Sequence, residues 1–338
     1  MTKRADVFTW IEQELRPKPA TSVELLYDLM DSQAAYQLPL IHTAFDAGNR
    51  YHWADRGAMF DFLLSVHGEG ARLLDFGPGD GWPSLIVAPH AGEVVGVDGS
   101  SRRVEVCAEN AHRLGVRKVK FKYNKPGNRL PFPDATFDGI MAASSVEQSP
   151  EPRETLREFH RVLKPGGRLR MQYEALTQYR GRHEQDLTLL TTGNRTSRLV
   201  LYERLIDEEK VRHYGLDLAL SEREMKKMLS PNGKPLVFNM ATASFLKAVR
   251  SSITATFVCD LVHASGITYV RWLHEIGFSS IQPTHSGFAF AMRLYDRLYE
   301  NERPKTMEAV DRYVRPAVSI AIEMAAPIEA DPMITAIK

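Results

Sequence analysis

Three glycines spaced two apart carry the first chemistry in this sequence. Leu73-Leu74-Asp75-Phe76-Gly77-Pro78-Gly79-Asp80-Gly81 runs an apolar strand into a tight turn. Such a turn needs residues that accept positive φ and let a ligand approach the backbone. A helix that starts directly behind it offers free N–H groups to a carboxylate or a phosphate. Asp98 closes the next apolar run, about twenty positions after Gly77, where an acid takes ribose hydroxyls. The pair therefore predicts a ribose-bearing ligand. The nicotinamide fingerprint would place a third glycine where Trp82 stands, so it fails. A Gly-Lys-Ser/Thr phosphate loop is absent as well.

Further motifs follow in order: Leu130-Pro131-Phe132-Pro133-Asp134, then Phe137-Asp138, then Arg161-Val162-Leu163-Lys164-Pro165-Gly166-Gly167. With the D-x-G-x-G-x-G turn they resemble class I S-adenosylmethionine-dependent methyltransferases. The resemblance is to the type 11 group that includes the quinone-biosynthesis and sterol C-methyltransferases. It covers residues 50–175 and returns at 267–295. It implies S-adenosyl-L-methionine as cofactor. Asp75, Phe76, Gly77, Pro78, Gly79 and Gly81 would hold its methionine tail, and Asp98 its ribose. Gly99 and Ser100 would flank the adenine, and Ser144 and Ser145 would line the cofactor near the methyl group. Relatives often carry an aspartate four residues before the Leu-Pro-Phe, for the adenine amino group. Here Pro126 stands in that place, and Asn128 or a backbone group takes the role. Relatives also carry Glu-His after the fourth strand, where this chain has Glu147-Gln148, so the obvious imidazole base is missing.

No catalytic residue is assigned. Glu147, Gln148 and Tyr173 stand at strand C-terminal ends, the edge where open α/β sheets bind ligands, and are the acceptor-side candidates. Cys107 and Cys259 read as core thiols, and His263, His274 and His285 lack ligand spacing, so no metal site is expected. Nine Lys/Arg fall between Arg102 and Arg129. They read as a solvated helix face, with an anionic-partner patch as the alternative.

These residues need a scaffold. From Ala71 to about residue 175, short apolar runs alternate with helical stripes, which predicts a parallel sheet with right-handed crossovers. Ser100 caps one helix and Gly115 ends it; Ser149-Pro150 opens another. The expected fold is an α/β, doubly wound, mostly parallel seven-stranded sheet, the strand number following from the resemblance. A helical insertion follows the fifth strand, and both termini carry helical extensions. The boundaries read as a helical extension over 1–70, the cofactor domain over 71–175 and 266–300, an insertion over 176–265, and a helix with an apolar tail over 301–338. A hairpin is expected at 279–294, and the capping box at Ser221 marks a helix inside the insertion. In the fifth strand Leu169, Met171 and Tyr173 alternate with Arg168, Arg170 and Gln172, so one face should meet polar groups from the insertion or the tail.

The 338 residues are 43% hydrophobic and 25% charged, an ordinary globular composition. The net charge of +1 exerts no global pull toward nucleic acid or membrane. Two distant cysteines and the lack of a long apolar run fit a cytoplasmic protein without a secretory signal. The expected function is transfer of a methyl group to O, N or C of a small organic acceptor. The alternatives are an RNA or protein methyltransferase, transfer of another part of the same cofactor, or a non-catalytic protein on the same fold. The insertion is expected either to cap the acceptor pocket or to serve as a dimerisation arm.

Overall fold

The computed structural model describes residues 6–30, 43–181 and 184–338. The chain divides into two compact units, 37–175 with 264–338 and 1–36 with 176–263. The end of the second N-terminal apolar run, residues 31–35, and Pro39 lie outside the described residues.

The first unit is α/β. In chain order it comprises helix α1 (Arg50–Ser65), strand β1 (Arg72–Phe76), helix α2 (Ser84–Val87), β2 (Glu93–Asp98), α3 (Ser101–Leu114), β3 (Val119–Tyr123) and β4 (Phe137–Ala143). It continues with α4 (Pro152–Val162), β5 (Leu163–Gln172), α5 (Gly266–Ile276), β6 (Ser279–Thr284), α6 (Gly287–Arg297), α7 (Met307–Glu323) and β7 (Met333–Ile337). The strand order is β6-β7-β5-β4-β1-β2-β3. The pairings among β1 to β5 are parallel, and β7 runs antiparallel to β5 and to β6. The doubly wound, mostly parallel seven-stranded sheet is thus the fold that forms. Because β2 lies on one side of β1 and β4 on the other, the strand order reverses at β1, where such sheets open a crevice.

The local signals explain the helices. Ser100 caps α3 by accepting from Arg103 N at 3.1 Å, and Gly115 ends it at φ 68°. Helix α4 starts later than Ser149-Pro150 suggests: Pro152 takes the first turn, and the Ser149 hydroxyl instead donates to Val146 O at 2.6 Å. Helices α1 and α6 cross in backbone contact. A Cβ on Gly57 would lie 2.3 Å from Gly287 O and 2.6 Å from Ala291 Cβ, so only glycine permits the crossing.

Two expectations about the C-terminal part are corrected. Residues 279–294 are not a hairpin: β6 is followed by α6, whose first turn is capped by Ser286. The partner of β6 is β7, drawn from the apolar tail, which is therefore a sheet strand and not a loose extension. Pairing energy comes from whichever strand reaches the edge, and sequence proximity does not decide that.

The tail also accounts for the alternation in β5. Arg170 is fully buried, and all five of its N–H groups are taken. Nε and Nη2 hold the two Asp61 oxygens of α1 at 2.6 and 2.8 Å. Nη1 reaches Thr335 of β7 at 3.0 Å and Thr284 of β6, and Nη2 also donates to His285 O at 3.2 Å. The polar face of β5 thus meets α1, β6 and the tail.

The second unit corrects the helical insertion. Four strands, Gln185–Gly193, Thr196–Leu205, Lys210–Leu218 and Ile253–Val262, form an antiparallel meander, and Lys18–Pro19 adds a short parallel edge. Period-2 sequences rich in Val, Tyr, Thr and Leu favour a half-buried strand over a helix. In Thr196–Leu205, Ser197, Leu199 and Leu201 are buried on one face while Arg198, Val200 and Tyr202 share the other. The apolar runs at Phe257 and Leu261 belong to the last of these strands. The capping box at Ser221 does form, on the helix Glu222–Leu229. The N-terminal run packs here: Val7, Phe8 and Ile11 share a core with Leu199, Leu201, Tyr214 and Leu216.

Candidate functional site

The glycine turn sits at the C-terminal end of β1, in the crevice the strand order opens. Gly77, Gly79 and Gly81 all have positive φ, at 71°, 60° and 114°. Two of these positions face different surroundings. A Cβ on Gly77 would lie 2.5 Å from Ser145 Cβ, so glycine is required for packing. A Cβ on Gly79 would meet nothing within 4 Å, so here the turn borders open space. Gly81 N donates to Pro78 O at 2.8 Å and closes the turn.

Asp98 is half-buried at the end of β2 and is tied to the turn. Its Oδ2 accepts from Gly79 N at 3.2 Å and its Oδ1 from Ser100 N at 2.9 Å. These two backbone donors fix the carboxylate beside the turn. Gly99 is half-buried beside it. The Ser100 hydroxyl accepts from Arg103 N as the cap of α3, and its backbone N–H donates to Asp98.

Asp75 lies deeper. Its Oδ2 accepts from Ser84 N at 3.1 Å and from Ser84 Oγ at 2.6 Å, which ties β1 to the start of α2. Its Oδ1 is buried without a hydrogen-bond partner among the described residues. Burial pushes this carboxyl up to about 7; the Ser84 bonds oppose the shift and the Asp98 charge adds to it. A raised folded-state value means the native state holds the proton more tightly than the unfolded chain. The associated stability is full below about pH 4 and is lost as pH rises through about 7. Melting of the ligand-free protein is therefore expected to fall between pH 5 and 8 by a step that Asp75→Asn lacks. Parallel melting curves for the two proteins across that range would remove Asp75 as the titrating group.

The residues after β4 meet the turn from the other side. Ser145 Oγ donates to Phe76 O at 2.5 Å. Ser144 is exposed in the left-handed region at φ 50°, a costly conformation for a side-chain residue and one found preferentially at functional sites. Glu147 is buried in the short helical turn Val146–Gln148, and its Oε1 accepts from Glu174 N at 3.0 Å. Gln148 is half-buried in the same turn.

Tyr173 and Asn128 are the remaining candidates. Tyr173 is only 2% exposed and packs on Tyr269 at 5.1 Å; burial, with Glu329 nearby, pushes its hydroxyl up to about 12. It is an interior residue. Asn128 is exposed in the loop after β3, where its carbonyl accepts from Asn124 Nδ2 at 3.3 Å.

Three supports of the turn escape a reading of the sequence. Ser84 is one. On α3 the Cys107 thiol donates to Gly79 O at 3.2 Å, and Asn110 Nδ2 donates to Asp80 O at 2.8 Å. Positions 107 and 110 are three apart and share a helix face. The buried positions of α3 are Arg103, Val106, Cys107, Asn110 and Ala111. Burial raises the Cys107 thiol far above its ordinary value, and the Cys259 thiol to about 12, so both are inert as nucleophiles. Three of the nine cations in the basic stretch form ion pairs: Arg102 with Glu105, Lys120 with Glu93, and Arg129 with Asp134 and Glu158.

Residues 74–171 match the family described as the methyltransferase domain. The uncharacterized methyltransferase YcgJ of Bacillus subtilis (strain 168) is 38% identical over 97 residues, which are 29% of this chain and 38% of that protein. The crystal structure of YcgJ aligns at 33% identity with a TM-score of 0.32, covering 35% of this chain and 50% of the other. The 27-O-demethylrifamycin SV methyltransferase of Amycolatopsis mediterranei (strain S699) is 38% identical over 102 residues, 30% of this chain and 37% of that enzyme. The demethylmenaquinone methyltransferase of Clavibacter sepedonicus is 34% identical over 157 residues, 46% of this chain and 59% of that one. The chain thus spans between 37% and 59% of the length of these relatives.

Proposed function

Because residues 74–171 belong to the methyltransferase domain family, we propose that the protein transfers the methyl group of S-adenosylmethionine to a small organic acceptor. One observation carries the cofactor part. The Asp98 carboxylate is fixed by Gly79 N and Ser100 N beside a glycine turn that opens onto free space. That geometry fits a ribose diol at the carboxylate and an amino-acid tail over the turn. The partnerless Asp75 Oδ1 fits a cationic ammonium nearby. When bound, S-adenosylmethionine supplies a methyl group on a positively charged sulfur, open to in-line displacement.

The chain's residues then have positioning work. Asp98, with Gly99 and the Ser100 backbone, would orient the nucleoside. Phe76 to Gly81 would hold the tail. Ser144 and Ser145 would border the methyl group, and Glu147 and Gln148 the acceptor. Holding two reactants in line contributes about 7–11 kcal/mol without any acid or base. A base is required only where the acceptor loses its proton during transfer. The relatives named for rifamycin and menaquinone intermediates support a small acceptor.

Calorimetry tests the cofactor: S-adenosylmethionine or its demethylated product should bind, and NADH should not. Tight NADH binding sinks the assignment. Filter retention of total RNA at physiological salt should be weak, since a net charge of +1 gives phosphate-driven binding little support. Sub-micromolar, salt-sensitive retention lost on reversing Arg102, Arg103, Arg113 and Arg117 would favour an RNA substrate instead.

We further assign acceptor choice to the unit formed by 1–36 and 176–263. It has its own apolar core, and most of it is inserted in the chain after β5. A variant that joins 37–175 to 264–338 through a Gly/Ser linker should keep cofactor binding and lose transfer to its acceptor. If it keeps turnover but loses a native dimer, the unit is a dimerisation arm.

A further inference from the structure

The motifs at Leu130–Asp134 and Arg161–Gly167 are joined through one side chain. Arg161 stands in the last turn of α4, and all five of its guanidinium N–H groups are taken. Nη1 donates to Phe132 O at 2.8 Å and to Asp134 Oδ1 at 2.9 Å. Nη2 donates to Leu130 O at 3.0 Å and to Glu158 Oε2 at 2.6 Å, and Nε donates to Glu158 Oε1 at 2.8 Å. Glu158 Oε2 also accepts from Leu130 N at 2.8 Å. Glu158 and Arg161 are three positions apart and share a helix face. One helix therefore grips the loop by both main-chain groups of Leu130 and by the carbonyl of Phe132. Arg161 O accepts from Ala135 N at 3.0 Å, which closes the far end of the loop.

The near end of the same loop is tied to Asp98. Asp98 and Tyr123 are in register where β2 pairs with β3, and Asn124 N donates to Asp98 O at 2.9 Å. Asn124 Nδ2 then donates to Asn128 O at 3.3 Å, and Asn128 N donates to Lys125 O at 3.0 Å. Beyond them Leu130 and Phe132 are buried, and Phe132 meets Phe137 edge-on at 4.9 Å. Asn128 stays exposed between the two anchored ends. A carboxamide sets an acceptor beside a donor, the pattern that matches the amino group and adjacent ring nitrogen of an adenine. Phe159, also on α4, packs on Phe76 with ring centroids 5.1 Å apart and planes at 71°. The helix that grips the loop thus also braces the start of the glycine turn.

We propose that Arg161 is a positioning residue for adenine recognition, which with Glu158 fixes the loop from Asn124 to Asp134 so that Asn128 meets the adenine edge of the cofactor. The inference rests on the reading that the glycine turn and Asp98 bind S-adenosylmethionine. Arg161 itself touches no ligand, because its N–H groups are all committed within the fold. It acts through the loop, in the way that rigid elements position loops that carry binding side chains. Lysine cannot take its place. A point charge on a flexible stem does not hold two carbonyls and two carboxylates at once, whereas a planar fork does.

The test is calorimetric titration of the full chain with S-adenosylhomocysteine and with its analogue whose purine lacks the 6-amino group. Wild type should bind the analogue roughly tenfold more weakly, the effect of one hydrogen bond lost with its partner left unpaired. Arg161→Met should bind S-adenosylhomocysteine roughly tenfold more weakly than wild type and should bind the two ligands within about threefold of each other. Arg161→Lys should behave in the same way. Asn128→Ala should also lose the discrimination, and adding it to Arg161→Met should cost nothing further, since both remove the same contact. Equal weakening of both ligands in Arg161→Met would mark a merely structural role and overturn the proposal. Discrimination retained in Arg161→Lys or in Asn128→Ala would overturn it too. Should Arg161→Met fail to fold, those two variants decide. A wild-type protein that binds both ligands equally tightly removes the proposal and leaves the cofactor reading standing. A wild-type protein that binds neither removes the cofactor reading itself.

Discussion

Asp98→Ala is expected to weaken S-adenosylmethionine binding by one to two orders of magnitude and leave the melting temperature within a few degrees. A hydrogen bond from a ribose hydroxyl to an ionised carboxylate contributes about 1.5–3 kcal/mol. In the ligand-free protein the carboxylate accepts from Gly79 N and Ser100 N, so the substitution also frees two donors of the turn. Asp98 is half-buried, and water can reach the freed groups, so the folded state loses less than the complex. Asp98→Asn separates the two roles. Its carbonyl oxygen still accepts one backbone N–H, but its amide cannot accept, so affinity should fall without loosening the turn completely. Calorimetry showing wild-type affinity in Asp98→Ala would take this residue out of the site.

Asp61→Ala is expected to remove about 3–5 kcal/mol of stability, the cost of leaving a buried charge without its partner. Arg170 is fully buried at the middle of β5, and Asp61 is 1% exposed. The remaining partners of Arg170 are hydroxyls and a carbonyl, which do not neutralise it. Asp61 Oδ2 also accepts from Gly287 N at 2.5 Å, so the loss reaches the start of α6 as well. The double substitution Asp61→Leu with Arg170→Met should be less damaging than Asp61→Ala, because an apolar pair in the same space has no charge to desolvate. Urea unfolding followed by tryptophan fluorescence reads this unit, since Trp53, Trp82 and Trp272 lie in it and only Trp10 does not. Equal midpoints for Asp61→Ala and wild type would show that the pair contributes nothing to the α/β core.

Much of the local geometry of the candidate site is legible before folding. The glycine turn, the Ser100 cap and the Ser221 capping box act through residues within a few positions of one another, and each forms as its spacing implies. The misses have a common form. The helix signal at Ser221 is genuine, yet it lies among strands whose pairing is between segments tens of residues apart. The hairpin expected at 279–294 gave way to a strand from residues 333–337, because a partner from the tail completed β6. Ser84 and Asn110 carry no motif; each matters through the group it reaches across the fold.

Local sequence encodes the glycine turn, the order of the parallel strands in the chain, and the start and end of α3. These follow from φ preference, side-chain capping and apolar period, which are local and act before any tertiary contact exists. The tertiary structure alone decided that the tail becomes a strand between β5 and β6, that Arg170 is buried on Asp61, and that the insertion is a sheet. It also decided which side chains brace the turn. Those outcomes depend on closing long loops and on pairing buried polar groups with partners distant in sequence, and no local pattern encodes which partner arrives.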